Sequence, residues 1–209
     1  MDRNFRKILI ATGNKGKFTE ISTLLKGINI DSVGIWEFDG LEEPEETGKT
    51  FSENSLIKAK YYAKKTGLVS LADDSGICIE DLDNKPGIYS ARYAVNELNN
   101  KTDFPYAFQK ISDELKEKNI AENSKPTAHF ICNLTIFDPK DNFHIDFEGR
   151  VDGSLTFPPK GTSGFGYDPI FIKNGMSATF GEIDRFEKDT ISHRGNAFEK
   201  MVKWLNSHL

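Results

Sequence analysis

The segment from Ala128 to Leu155 constrains the fold more than any other part of this chain. "AHFICNLTIF" and "NFHIDFEGRVDGSL" have strand character, and "DPKDN" joins them with turn residues. Together they predict a long antiparallel hairpin. Such a hairpin leaves an apolar surface that other elements must cover.

The first half of the chain supplies alternating strands and helices. "KILIAT", Lys7 to Thr12, reads as a buried first strand, and "GNKGK" breaks it before a helix that starts near Lys17 and carries Ile21, Leu24 and Leu25. Thr50-Phe51-Ser52-Glu53 has the capping-box form and predicts a helix from about Phe51 to Lys65. Leu56, Ala59, Tyr62 and Ala63 recur along it at helical spacing. Residues 68–72 return to strand character, and 77–79 continue it. Thr102 is read as the cap of a helix carrying Phe108, Ile111 and Leu115. "DPIFIK" adds a short strand, and a final helix is expected from Ile191 onward, with Phe198, Met201, Val202 and Leu205 on one side. No repeat and no Pro/Gly-rich linker interrupts this order. The expectation is one α/β domain over residues 1–209, with a mixed central sheet flanked by helices and a cleft between two lobes.

Charge narrows the function classes. A net charge of -5 with interspersed signs argues against a protein that coats nucleic acid, so any phosphate must be held by local cations. The apolar stretch before Gly13 is too short for a signal sequence or a membrane span. Cys78 and Cys132 lack metal-ligand spacing and read as buried free thiols, which fits a reducing cytoplasm. His129, His144 and His208 are read as structural or solvated.

Four segments could carry chemistry. In "ATGNKGK", Thr12 to Lys17, a strand ends and a helix begins, so backbone N–H groups with Lys15 and Lys17 form an anion site or else an ordinary connection. The spacing of Gly13 and Gly16 is too close for a P-loop. "LADDSG" delivers Asp73 and Asp74 to the tip of an apolar run, and the acidic stretch "LEEPEET" offers Glu46 as a possible partner. If the fold joins them, Glu46 and Asp74 supply hard oxygen ligands suited to Mg2+, and Lys58 on the following helix reaches the same place. "GTSGFGYDPIF" surrounds Phe165 with glycines, either for stacking on a base, with Tyr167 and Asp168 as polar contacts, or as a turn that tucks Phe165 into the core. "EKDTISHRGNAF" places Lys188, His193 and Arg194 as donors to a phosphate or carbonyl oxygen.

Taken together, "ATGNKGK", "FSENSLIKAK", "LADDSG", "PGIYSARYA", "GTSGFGYDPIF" and "SHRGNAF" resemble the inosine/xanthosine triphosphate pyrophosphatase family, which acts on noncanonical purine nucleotides. The motifs occur in that family's order over nearly the whole chain; Ser163 stands where glycine is common, and residues 96–125 match no motif. The resemblance implies an elongated mixed-sheet fold and a cytoplasmic homodimer without nucleic-acid or membrane partners. It implies Asp74 as proton acceptor and Mg2+ ligand and Glu46 as second metal ligand. Thr12, Gly13, Asn14, Lys15, Gly16, Lys17 and Ser75 would hold the triphosphate, with Lys58 stabilising charge on the bridging oxygens. Phe165, Gly166, Tyr167, Asp168, Lys188, His193 and Arg194 would bind the nucleotide. The implied reaction converts ITP, dITP or XTP to monophosphate and pyrophosphate. A non-hydrolytic nucleotide sensor and a pyrophosphatase for other modified nucleotides are the alternatives.

Overall fold

The run KILIA forms β1 (Lys7–Ala11) in a computed structural model that describes residues 5–121 and 124–208. It is followed by α1 (Lys15–Lys26), β2 (Asp31–Gly34), α2 (Phe51–Thr66), β3 (Ser70–Ile79), β4 (Lys85–Pro86) and α3 (Ser90–Tyr93). Then come β5 (Val95–Asn96), β6 (Lys101–Thr102), α4 (Phe104–Glu117), β7 (Thr127–Asp138), β8 (Phe143–Leu155), β9 (Phe171–Lys173), α5 (Arg185–Ile191) and α6 (His193–Asn206). The main sheet has the order β2-β1-β3-β7-β8-β9, with β4 beside β3. β1 pairs in parallel with both β2 and β3, whereas β8 and β9 are antiparallel, so the sheet is mixed.

Two compact units divide the chain. The first comprises residues 1–74, 132–149 and 194–209, and the second comprises 75–131 and 150–193. In the first unit, strand alternation sorts the core into two clusters. Ile8 and Ile10 pack with Ile21 and Leu25 of α1 and with Phe198, Met201 and Leu205 of α6. Leu9 and Ala11 face the other way, against Ala59, Tyr62 and Ala63 of α2. Cover on both faces is why KILIA reads as an unbroken apolar run instead of an alternating one. The second unit gathers Ile77 and Ile79 of β3, Phe130 of β7, Val151 and Leu155 of β8 and Phe108, Ile111 and Leu115 of α4 into a single cluster.

Local chemistry sets the helix ends. Thr50 caps α2 by accepting the Glu53 N–H at 3.1 Å, and Gly67 ends it in the left-handed region at φ 73. The expected cap of α4 needs correction: Asp103, not Thr102, accepts the Tyr106 N–H at 3.0 Å. Thr102 belongs instead to β6, opposite Val95. The final helix expected from Ile191 onward is α6, which begins at His193, and α5 just before it was not anticipated. Ser192 adopts an extended backbone (φ -82, ψ 167), which separates α5 from α6. The strand expected at 68–72 begins at Ser70 and runs unbroken through 77–79 as β3. Both cysteines are free and buried, and no helix among the described residues is long and apolar enough to cross a membrane.

Removing the α2 cap leaves the Glu53 N–H without its side-chain acceptor. Thr50→Ala is expected to lower unfolding free energy by about 1 kcal/mol in a urea titration, without changing the spectrum of the folded protein.

Candidate active site

Asp73 and Asp74 are neighbours on β3, and the strand's pleat sends their side chains to opposite faces. Asp73 shares a face with Leu71, toward α1 and α6, while Asp74 shares one with Ala72, toward α2. On the first face Asp73, 1% exposed, forms an ion pair with Lys17 and accepts from Arg194 Nε at 3.1 Å. Arg194 also pairs with Glu20 of α1, and the Cys132 thiol donates to Asp73 at 3.0 Å. Glu20, an acid in the middle of an amphipathic helix, gave no sign of this role in the sequence.

On the second face α2 sets two polar residues one turn apart, Asn54 and Lys58. Lys58 Nζ lies 2.6 Å from Glu46 Oε1 and 3.0 Å from Asp74 Oδ1, so two acids from distant segments share one ammonium. Asn54 donates to Asp74 Oδ2 at 3.4 Å and accepts the Gly48 N–H at 2.8 Å, linking the acidic loop to the carboxylate it serves. Sequence reasoning missed Asn54, although its spacing from Lys58 within "FSENSLIKAK" was the available signal.

The loop before α1 is built for close approach. Asn14 caps the helix, accepting from Gly16 N at 2.9 Å and Lys17 N at 3.2 Å, and its own N–H donates to Thr12 Oγ1 at 3.2 Å. A side chain at Gly13 would collide with the Glu43 carboxylate, so the acidic loop lies directly over this turn. Thr12, Gly13, Asn14, Lys15, Gly16, Lys17, Glu46, Lys58, Asp74 and Arg194 therefore all belong to the first unit.

The other expected residues, Ser75, Phe165, Gly166, Tyr167, Asp168, Lys188 and His193, belong to the second. There Asp168, 2% exposed, accepts from the Phe165 N–H at 2.8 Å and from Lys188 Nζ at 2.6 Å. The Lys188 ammonium also stands 4.6 Å from the centre of the half-buried Phe165 ring. Gly164, at φ +72, lies so close to the Asp168 carboxylate that no side chain fits. Tyr167 and Asp168, expected as polar contacts, are both buried, and their polar groups hold the loop. The Tyr167 hydroxyl donates to the Ser90 carbonyl at 2.8 Å, and its ring packs edge-on against Phe104. His193 is buried and stacks on Phe130 at 4.6 Å.

With this geometry in place, comparison with known proteins is decisive. The Ham1 family profile matches residues 8–204. The chain belongs to the Ham1 family. The resemblance noted for its motifs is borne out. Among its relatives are dITP/XTP pyrophosphatases of Zymomonas mobilis, 45% identical over 94% of this chain and 90% of that protein, and of Agrobacterium fabrum, 42% identical over 95% of each. The Ham1 protein of Coxiella burnetii superposes with a TM-score of 0.84 at 36% identity, covering 96% of this chain and 98% of the other. The Staphylococcus aureus Ham1 protein gives 0.82 at 32% identity, covering 97% and 100%.

In this Ham1 chain the two neighbouring acids have opposite electrostatics. Burial alone would raise both. For Asp73 the Arg194 and Lys17 charges outweigh burial and hold its carboxyl well below the usual range. For Asp74 burial wins over Lys58 and Lys17, and its carboxyl is raised. Burial likewise disfavours the Lys58 ammonium, but Asp74 and Glu46 outweigh it and raise its pKa.

A depressed carboxyl stabilises the fold above its unfolded value, and that stabilisation disappears as pH falls toward the folded value. Asp73→Asn is therefore expected to lose about 3 kcal/mol at neutral pH, since it leaves charged partners buried. In urea titrations of the metal-free proteins, the gap between wild type and variant should shrink as pH drops below about 4.

Proposed function

We propose that residues 1–209 form one pyrophosphatase domain that hydrolyses noncanonical purine nucleoside triphosphates, ITP, dITP and XTP, to monophosphate and pyrophosphate. The observation that carries this reading is the convergence of Glu46 and Asp74 on Lys58 Nζ, in a family whose relatives above bear the name dITP/XTP pyrophosphatase.

The donor set fits a hard divalent cation. Two carboxylates from separate segments meet at Lys58, and their oxygens are the hard donors such a cation takes. Glu46 and Asp74 would hold Mg2+, which when bound supplies charge neutralisation on the phosphates and a lowered pKa for the attacking water.

The chain's own residues account for the rest. Asn14 orders the turn from Thr12 to Lys17, where the start of α1 and its lysines attract the triphosphate, with Ser75 assigned to the same group. Asp74, its carboxyl raised by burial, accepts the proton as water adds to the α-phosphorus and the bond to the β-phosphate bridging oxygen breaks. Lys17 and Lys58 stabilise negative charge on the departing pyrophosphate. Phe165 offers a ring face for stacking, while Gly166, Tyr167, Asp168 and Lys188 shape that loop. His193 and Arg194 are assigned to the 6-oxo group of the base. An adenine amino group opposite such donors would leave a polar pair unsatisfied, a mismatch of about 1–3 kcal/mol. A cytoplasmic homodimer that engages neither nucleic acid nor membrane completes the reading, and rests on the family resemblance.

Incubation with Mg2+ and ITP, dITP, XTP or ATP should release pyrophosphate from the first three and little from ATP. Orthophosphate as the first product would overturn the assigned bond cleavage. Asp74→Asn should fold and bind ITP while losing about 100- to 10,000-fold in kcat. Phe165→Ala should raise KM for ITP about tenfold with an unchanged thermal midpoint, the loss expected for one base–aromatic stack. A KM within twofold of wild type would remove Phe165 from base binding.

A further inference from the structure

Glu80, His129 and Asp152 each present one ligand atom, and these atoms lie within 4.8 Å of one another. All three belong to the second unit, and none takes part in the chemistry above. The hairpin brings His129 and Asp152 together. The Leu155 N–H donates to the Pro126 carbonyl at 2.8 Å, and the Thr135 hydroxyl meets the Asp146 carboxylate. Counted from the Pro126–Leu155 pair, His129 falls opposite Asp152. Glu80 follows directly on β3, the strand beside β7.

His129 is the informative member. It is 5% exposed, and its Nδ1 is a buried nitrogen that makes no hydrogen bond. Glu80 Oε1 lies 3.4 Å from it without hydrogen-bonding geometry. A neutral imidazole nitrogen carries a lone pair that can ligate a metal. An unsatisfied buried nitrogen is unfavourable, and this one points at two partly exposed carboxylates. Arg150 bridges those acids: its Nη2 lies 2.6 Å from Asp152 Oδ1 and 3.6 Å from Glu80 Oε1. The arginine is itself half-exposed, so it can withdraw into solvent.

We propose that Glu80, His129 and Asp152 form a binding site for a zinc-class divalent cation, which displaces Arg150 and ties the end of β3 to the β7–β8 hairpin. One imidazole nitrogen with two carboxylate oxygens suits zinc, whereas an all-oxygen set suits magnesium. The site is thus chemically distinct from the Glu46–Asp74 pair.

Zinc titrated calorimetrically into the full-length, metal-free Glu46→Gln/Asp74→Asn chain, in which the other carboxylate pair is disabled, should bind one ion per chain. Adding Asp152→Asn or His129→Gln should weaken that binding at least tenfold, and Arg150→Ala should strengthen it severalfold by removing the competing cation. Zinc should also raise the thermal midpoint of the parent but not that of the Asp152→Asn chain. Because Asp152 is half-exposed, its variant decides the matter even if His129→Gln fails to fold. Absence of zinc binding, or binding unchanged by Asp152→Asn, would overturn the proposal.

Discussion

Asp73 is an ionised carboxylate almost wholly removed from water, and an isolated charge in that position would be prohibitive. Lys17, Arg194 and the Cys132 thiol compensate it, and Glu20 completes the pairing of Arg194. This network joins the start of α1, the interior of β3, the middle of β7 and the start of α6. The placement of the lysine-bearing turn, and of the strand that carries Asp74, follows from satisfying that one buried anion.

The neighbouring acid sits in a different environment. Asp74 lies on the other face, shares Lys58 with Glu46 and is raised instead of depressed. Adjacent carboxyls with pKa values pushed apart can divide structural and chemical work: one remains a fixed anion, the other can take a proton. The pleat of a β-strand is sufficient to produce the division, since consecutive residues face different surroundings.

A comparable economy appears in the second unit. Asp168 and Lys188 form a buried ion pair, and Asp168 also accepts the Phe165 N–H, so the glycine-rich turn is held from within. Glycine at 164 is demanded twice, by its positive φ and by the carboxylate that fills the space a side chain would need. The glycine-rich turn is thus a braced one. The same reasoning explains why Tyr167 serves the core: its ring packs on Phe104 and its hydroxyl finds a carbonyl partner, as a buried tyrosine requires.

Local rules carried much of this. Strand alternation, the Thr50 cap and the hairpin turn were legible because each depends on residues within a few positions of one another. The motif order was likewise enough to point to the family. Local rules failed where two adjacent signals competed, as at Thr102 and Asp103, and they gave no expectation of α5, which Ser192 separates from α6. They were silent on Glu20, Asn54 and the partners of Arg194, since no spacing rule links residues 20, 73 and 194. By itself the sequence determined which chemical groups were available and where the longer strands and helices would form. Only the tertiary structure decided that Asp73 would be buried among cations and that Asp74 would meet Glu46 across one lysine, because burial and charge pairing arise from distant segments packing together.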